Sequence, residues 1–144
     1  MKATTIAKAP PPGVAPTTTV KDAMPAMDNQ TGCAVGIVED GKLVGTLSKD
    51  DVLKRVVSAG LDPSTTPVRD VMSTPPVTAG VDIETDEALK LMFANKTCYL
   101  PLVDGEDKLV AWVAICHLFE GHADVLSDQL DTLAKYIGAD GPGG

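Results

Sequence analysis

Lys42-Leu43-Val44-Gly45-Thr46-Leu47-Ser48-Lys49-Asp50-Asp51-Val52 reads as a strand running directly into a helix. The apolar run over Lys42–Leu47 is the strand, and the Ser48 hydroxyl is placed to cap the helix. Upstream lies a second apolar run, Cys33–Val38. The Glu39-Asp40-Gly41 between the two runs marks a hairpin, because Asp-Gly supplies the positive φ of a tight turn. Downstream, Leu53, Val56 and Val57 give a helix over Lys49–Ala59 its apolar stripe.

The same pattern recurs at an offset of 65 or 66 residues. Lys42-Leu43-Val44-Gly45 falls on Lys108-Leu109-Val110-Ala111, and Ile37-Val38 on Leu102-Val103. Ala23-Met24 with Met27 falls on Ala88-Leu89 with Met92, Pro10-Pro11 on Pro75-Pro76, and Cys33 on Cys98. A constant offset over so many pairs is the mark of an internal repeat. The second hairpin is therefore Tyr99–Val103 and Lys108–Val113, with the longer turn Asp104-Gly105-Glu106-Asp107, and its helix runs over Ile115–Tyr136. Each hairpin is preceded by a Pro-rich extended piece, Pro12–Ala15 or Pro76–Ala79. A helix comes between, Val20–Gln30 capped by Thr19 and Ile83–Asn95 capped by Asp82. Pro25 implies that the first of these helices starts late or kinks. Asp62-Pro63-Ser64-Thr65-Thr66-Pro67 links the repeats, followed by one helical turn over Val68–Met72.

The expected fold is α/β (α+β): two pseudo-twofold-related β-α-β-β-α repeats packed sheet to sheet, since one such unit cannot cover its own sheet. The boundaries are 1–62 for the first repeat, 63–137 for the second with its long last helix, and 138–144 for a flexible Gly-rich tail.

The chain has 144 residues, enough for a core without staples. Only 3% of residues are aromatic, so that core is aliphatic. A net charge of −8 argues against a nucleic-acid surface, although a helix N-terminus and one Lys suffice to hold a single anion. Three cysteines at wide spacing are no disulfide framework, which suits reduced, buried thiols and a cytoplasmic location. Neither a signal peptide nor a membrane-spanning apolar stretch is evident.

Taken as a set, several stretches resemble the CBS (cystathionine-β-synthase) domain, and the pair resembles a Bateman module. Gly45-Thr46-Leu47-Ser48-Lys49-Asp50-Asp51-Val52 is similar to the family signature of Gly, two apolar residues, Ser or Thr, two variable residues, Asp and an apolar residue. Asp70-Val71-Met72-Ser73-Thr74-Pro75-Pro76-Val77 looks like the opening of a second repeat, Leu100-Pro101-Leu102-Val103-Asp104 like its second strand, and Ser58-Ala59-Gly60-Leu61-Asp62-Pro63 like the run between repeats. The resemblance covers about Ala7 to Glu120.

It implies a non-enzymatic regulatory module that takes an adenosine-containing small molecule, AMP, ADP, ATP or S-adenosylmethionine, in the cleft between repeats. It also implies a homodimer through paired modules and a regulated protein whose identity the sequence does not give. Ser48 and Asp51 stand one helical turn apart, so both can enter one cleft. There Asp51 can accept a ribose diol, while Ser48, Lys49 and the helix N-terminus favour a phosphate. The bland reading is that Ser48 caps the helix and Asp51 complements its dipole. By resemblance the site also includes Gly45 and Thr46, and is completed by Thr74, Pro75 and Val77 and by Thr97, Cys98 and Tyr99. Two departures remove positive charge from the phosphate end: Tyr99 and Asp50 stand where the family often has basic residues. This weakens the case for ATP. In the second signature Ala114 and His117 replace Ser48 and Asp51, and Trp112 either fills that cleft or offers a stacking face, so one ligand per chain is expected.

Three rivals remain. One is a ligand-independent assembly module that uses Leu126, Leu130 and Leu133 of the last helix. Another is a thiol pair, because Cys33 and Cys98 are repeat equivalents that a twofold axis can bring together; two small apolar core side chains are the plainer reading. The third is a metal site at Cys33, Cys98, Cys116 and His117, which lack C-x-x-C or H-x-x-x-H spacing. An enzyme is not expected, since no nucleophile arrangement surrounds His117 or His122.

Overall fold

The computed structural model describes residues 1–30 and 33–140, and describes no side chains at 29–30, 121–127, 129 and 136–140. The expected tail residues 141–144 and the side chains of His122, Val125, Leu126 and Ile137 therefore lie outside the described residues.

Proline cannot donate to a sheet ladder, so each repeat opens on a strand of only two residues. The first repeat has β1 (Gly13–Val14), α1 (Val20–Gln30), β2 (Ala34–Glu39), β3 (Lys42–Ser48) and α2 (Lys49–Asp51), with α2 winding into a π-helical stretch over Val52–Val57. The second has β4 (Ala79–Gly80), α3 (Thr85–Asn95), β5 (Tyr99–Val103), β6 (Leu109–Ala114) and α4 (Ile115–Asp140). Single 3-10 turns precede them at Ala3–Thr5 and Val68–Asp70. Among the described residues the sheets are β1-β2-β3 and β4-β5-β6, each with its first pair parallel and its second antiparallel. Each hairpin carries a register shift at the same repeat position, between Ile37 and Val38 and between Leu102 and Val103. Asp40 and Gly41, with φ of 51° and 81°, make the two-residue turn that Asp-Gly predicts.

Each repeat builds its own aliphatic core. Val20, Ala23, Met27, Val35, Ile37, Leu47 and Val56 pack in the first, and Ala88, Met92, Leu100, Leu102, Val113 and Leu118 in the second. The turns are exchanged: Ala3 is fully buried in the second core, and Val68 and Val71 in the first. Thr46 and Ser73 trade backbone hydrogen bonds of 3.0 and 2.8 Å, and the equivalent pair Trp112 and Lys8 does the same at 3.2 and 2.9 Å. This exchange explains Gly45, where an added Cβ would stand 2.5 Å from the Met72 sulfur and 3.1 Å from the Ser73 carbonyl oxygen. Equivalent residues meet across the seam: Lys42 bridges Lys108, and Cys33 approaches Cys98.

Four local expectations change. Thr19 caps α1, its hydroxyl accepting the Asp22 N–H at 3.2 Å, but Asp82 does not cap α3. Glu84 takes the cap position, the Thr85 N–H donates to the Met1 carbonyl at 2.9 Å, and Glu84 pairs with the N-terminal amine at 2.9 Å. Pro25 neither delays nor ends α1; the carbonyl it leaves without a donor belongs to exposed Lys21. The helix expected over Lys49–Ala59 is one α-turn followed by the π stretch, where Ser58 donates back five residues to Leu53 at 2.9 Å. The last helix runs to Asp140, past the expected Tyr136.

Candidate functional site

The β3–α2 junction sets the first wall of the cleft. Ser48 is extended (φ −101°, ψ 165°), and its hydroxyl accepts the Asp51 N–H at 3.0 Å. Asp51 Oδ2 in turn accepts the Ser48 N–H at 3.0 Å, so the two residues form a capping box. Asp51 Oδ1 accepts the Ser73 hydroxyl at 2.9 Å and lies 3.9 Å from Arg55 Nε. The capping reading of Ser48 and Asp51 is thus realised. Two of the carboxylate's roughly four lone-pair positions are engaged by hydrogen bonds, and Arg55 adds a longer-range ion pair.

The second repeat supplies the facing wall. α3 ends on Lys96 in the left-handed conformation, φ 54°. The chain then passes Thr97 and Cys98 into β5, whose first residue, Tyr99, is 8% exposed. The Tyr99 and Thr46 hydroxyls are hydrogen bonded at 3.1 Å across the repeats. Burial raises the Tyr99 phenol above its ordinary value, against the lowering effect of that hydrogen bond, and the nearby Asp51 carboxylate adds to the rise. The ring stays neutral at physiological pH.

Between these walls lies a cavity of about 470 Å³. Six of the expected residues line it: Ser48, Lys49, Asp51, Thr97, Cys98 and Tyr99. The other five do not. Gly45 is packed under Met72, and Thr46 is buried behind Tyr99. Thr74 donates its hydroxyl to the Val44 carbonyl at 3.0 Å, exposed Pro75 does not line the cavity, and Val77 packs on the second core. The exchanged backbone carries Ser73 to the cavity instead of its neighbours.

The rest of the lining is Asp50, already expected at the phosphate end, and the unanticipated Cys33, Lys54, Arg55, Ser73 and Lys96. Lys54 and Arg55 were within reach of the sequence, being three and four positions after Asp51 on one helical face. Lys96 directly precedes the expected Thr97. These residues restore the positive charge that Tyr99 and Asp50 remove. Lys49, Lys54, Arg55 and Lys96 face Asp50 and Asp51 in the lining, an excess of two positive charges in a chain of net −8. Asp50 pairs with Lys54 at 3.1 Å and Lys49 with Asp28 at 3.4 Å. Arg55 Nη1 donates to the Met72 carbonyl at 2.7 Å, and Lys96 carries no ion pair among the described residues.

The second signature has the same skeleton with other groups. The Ala114 N–H donates to His117 Nδ1 at 3.2 Å, as the Ser48 N–H does to Asp51. The neutral imidazole with its proton on Nε2 is what accepts there. Burial lowers the His117 pKa from its ordinary value, Lys8 lowers it further, and Glu120 opposes both. Trp112, the repeat equivalent of Thr46, is fully buried against Ala34 and stacks on Tyr99. Among the described residues no group of three or more His, Cys, Asp or Glu is arranged to hold a metal, and no helix is long and apolar enough to cross a membrane.

The CBS domain family matches residues 3–58 and again 68–121. A CBS domain-containing protein of Arabidopsis thaliana is 42% identical over 106 residues, 73% of this chain and 19% of that protein. The chain thus spans about a fifth or less of the length of the first curated relatives it matches. Among solved structures, a conserved CBS domain protein of unknown function from Thermoplasma acidophilum superposes with a TM-score of 0.75 and 25% identity, over 83% of this chain and 68% of that one. The cytosolic domain of the magnesium channel MgtE in complex with ATP gives 0.68 and 25%, over 83% and 48%. Two matched copies, two three-stranded sheets and the exchanged turns lead to one conclusion: the chain belongs to the CBS domain family and carries the domain as a tandem pair.

Proposed function

We propose that this CBS pair is a regulatory sensor that binds one adenine nucleotide in the cleft between its repeats and passes that state to a partner protein. The supporting observation is the lining of the cleft, which holds the acceptor carboxylate of Asp51 together with Lys49, Lys54, Arg55 and Lys96. The Ser73 hydroxyl on Asp51 stands where a ribose hydroxyl would bind, and a ribose displaces it like for like. The excess positive charge favours a phosphorylated ligand over a neutral adenosine compound, and ADP or ATP over AMP. The ATP complex of the similar MgtE domain is consistent with this choice. A second depression, of about 360 Å³ beside Gly13 and Val38, is lined by no charged side chain and does not suit a phosphate. Equilibrium dialysis against AMP, ADP, ATP and S-adenosylmethionine tests the reading. Affinity is expected to rise with phosphate number and to fall with salt; equal affinity for S-adenosylmethionine and ATP would overturn the order.

A dimer is the favoured assembly. Met24, Leu53 and Val57 are 44%, 58% and 64% exposed beside an apolar hollow, and Phe93 and Phe119 are 62% and 57% exposed in the other repeat. Phe119 is the repeat equivalent of Leu53, so the internal symmetry duplicates the apolar patch. A second copy presenting the same patches covers both. Light scattering of the wild type and of Leu53→Asp with Phe119→Asp tests it, with a dimer and a monomer expected.

A further inference from the structure

Cys33 and Cys98 are repeat equivalents, and both line the cleft. Each directly precedes the second strand of its sheet. Each backbone carbonyl accepts the first N–H of the helix after the hairpin: Lys49 N at 3.0 Å for Cys33, Ile115 N at 2.8 Å for Cys98. These bonds pin both backbones at the seam, where the internal twofold brings them together. The Cys33 thiol donates to the Cys98 carbonyl oxygen at 4.0 Å. Neither residue is in a disulfide; Cys98 is exposed and Cys33 half-buried. A disulfide needs Cα atoms about 4.4–6.8 Å apart, and the 4.0 Å from the Cys33 sulfur to the Cys98 carbonyl oxygen sets the two residues side by side at the seam. Tyr99, which directly follows Cys98 at the start of β5, lines the same cleft as both thiols. Cys116 is different: exposed in the first turn of α4, it has Asp50 as its repeat equivalent and so no symmetric thiol.

We propose that Cys33 and Cys98 form a reversible intramolecular disulfide across the seam, with hydrogen peroxide as oxidant, and that this bond narrows the cleft. The exposed Cys98 thiolate attacks the peroxide, its sulfur taking one oxygen as sulfenic acid while hydroxide leaves. The Cys33 sulfur then displaces that oxygen, forming the S–S bond, and the Cys33 proton leaves with it as water. In all, two thiols are oxidised and one peroxide is reduced to two waters. A dithiol returns two electrons and two protons and restores both thiols. The bond ties the wall that ends at Cys98 to the base of β2, beside Ser48 and Tyr99. The narrowing rests on the nucleotide reading of the cleft; the disulfide does not.

The test uses the full chain carrying Cys116→Ser, treated with hydrogen peroxide without ligand. Peptide mapping is expected to show a Cys33–Cys98 linked peptide within one chain, two hydrogens lighter and restored by dithiothreitol. Cys33→Ser is expected instead to leave a sulfenic acid on Cys98 that dimedone traps. Full alkylation of both thiols after peroxide, or a link between chains, overturns the disulfide. ADP affinity, read by dialysis, is expected to weaken at least tenfold on oxidation; unchanged affinity overturns the narrowing. A reduced chain that takes no ADP overturns the nucleotide reading itself, and with it the narrowing, while the linked peptide still decides the disulfide.

Discussion

The ring of Tyr99 stacks on the indole of Trp112, with centroids 5.3 Å apart and planes 10° from parallel. One face of this pair belongs to the cleft and the other is buried at the seam. Trp112 is the chain's single tryptophan, and its Nε1 is the one buried side-chain polar atom without a partner among the described residues. Indole emission therefore reports on the cleft wall. ADP is expected to change Trp112 fluorescence saturably, with a midpoint matching dialysis. In Tyr99→Phe, which keeps the stack and loses the Thr46 hydrogen bond, the response is expected to persist while stability falls by about 1 kcal/mol, read by urea denaturation.

On the nucleotide reading, Ser73 and the ribose compete for Asp51. Ser73→Ala removes the hydroxyl that occupies Oδ1. It is expected to tighten ADP binding by about two- to tenfold, the worth of one displaced hydrogen bond. Weaker binding would mean that Ser73 touches the ligand rather than standing in for it. Ser48→Ala, by contrast, removes the cap and is expected to lower stability by about 1 kcal/mol in denaturant.

Lys96 separates stability from binding. A lysine at φ 54° is in a conformation that costs an L-residue about 1–2 kcal/mol and a glycine nothing comparable. Lys96→Gly is expected to raise or hold the melting temperature while removing a cation from the lining. ATP affinity is expected to fall about two- to fivefold at low salt, with a shallower salt dependence.

His117 gives the fold a pH dependence of definite sign. Burial depresses its folded pKa below the unfolded value, with Lys8 reinforcing the shift and Glu120 opposing it. The unfolded chain then binds more protons than the folded one, so the contribution is fully present above about pH 6.5. It is lost as pH falls from there through the folded pKa, because protonation abolishes the Nδ1 acceptor of the Ala114 N–H. His117→Gln is expected to flatten stability against pH in this window; an unchanged profile would remove His117 from the account.

The tandem architecture was legible because both helix starts and most strand ends have a partner 65 or 66 residues on, down to the shifted register at Val38 and Val103. What could not be read was the exchange between repeats. The backbone of Met1 satisfies the Thr85 N–H from 84 positions away, and no local pattern encodes that. The same exchange brings Ser73 to Asp51 and leaves Thr74, Pro75 and Val77 off the cleft. Ser48 and Asp51 were legible by spacing, since a capping box and a paired cleft site ask for the same residues. The cations were in plain sight at Lys54 and Arg55. Their approach depends on the π stretch and on helix termini, which only the folded chain sets.

Isothermal titration of the reduced wild-type chain with ADP at low salt, beside Asp51→Ala, tests the central claim most directly. One site per chain is expected, with binding to Asp51→Ala weakened at least tenfold. Two equivalent sites per chain, or equal affinity in Asp51→Ala, would contradict it.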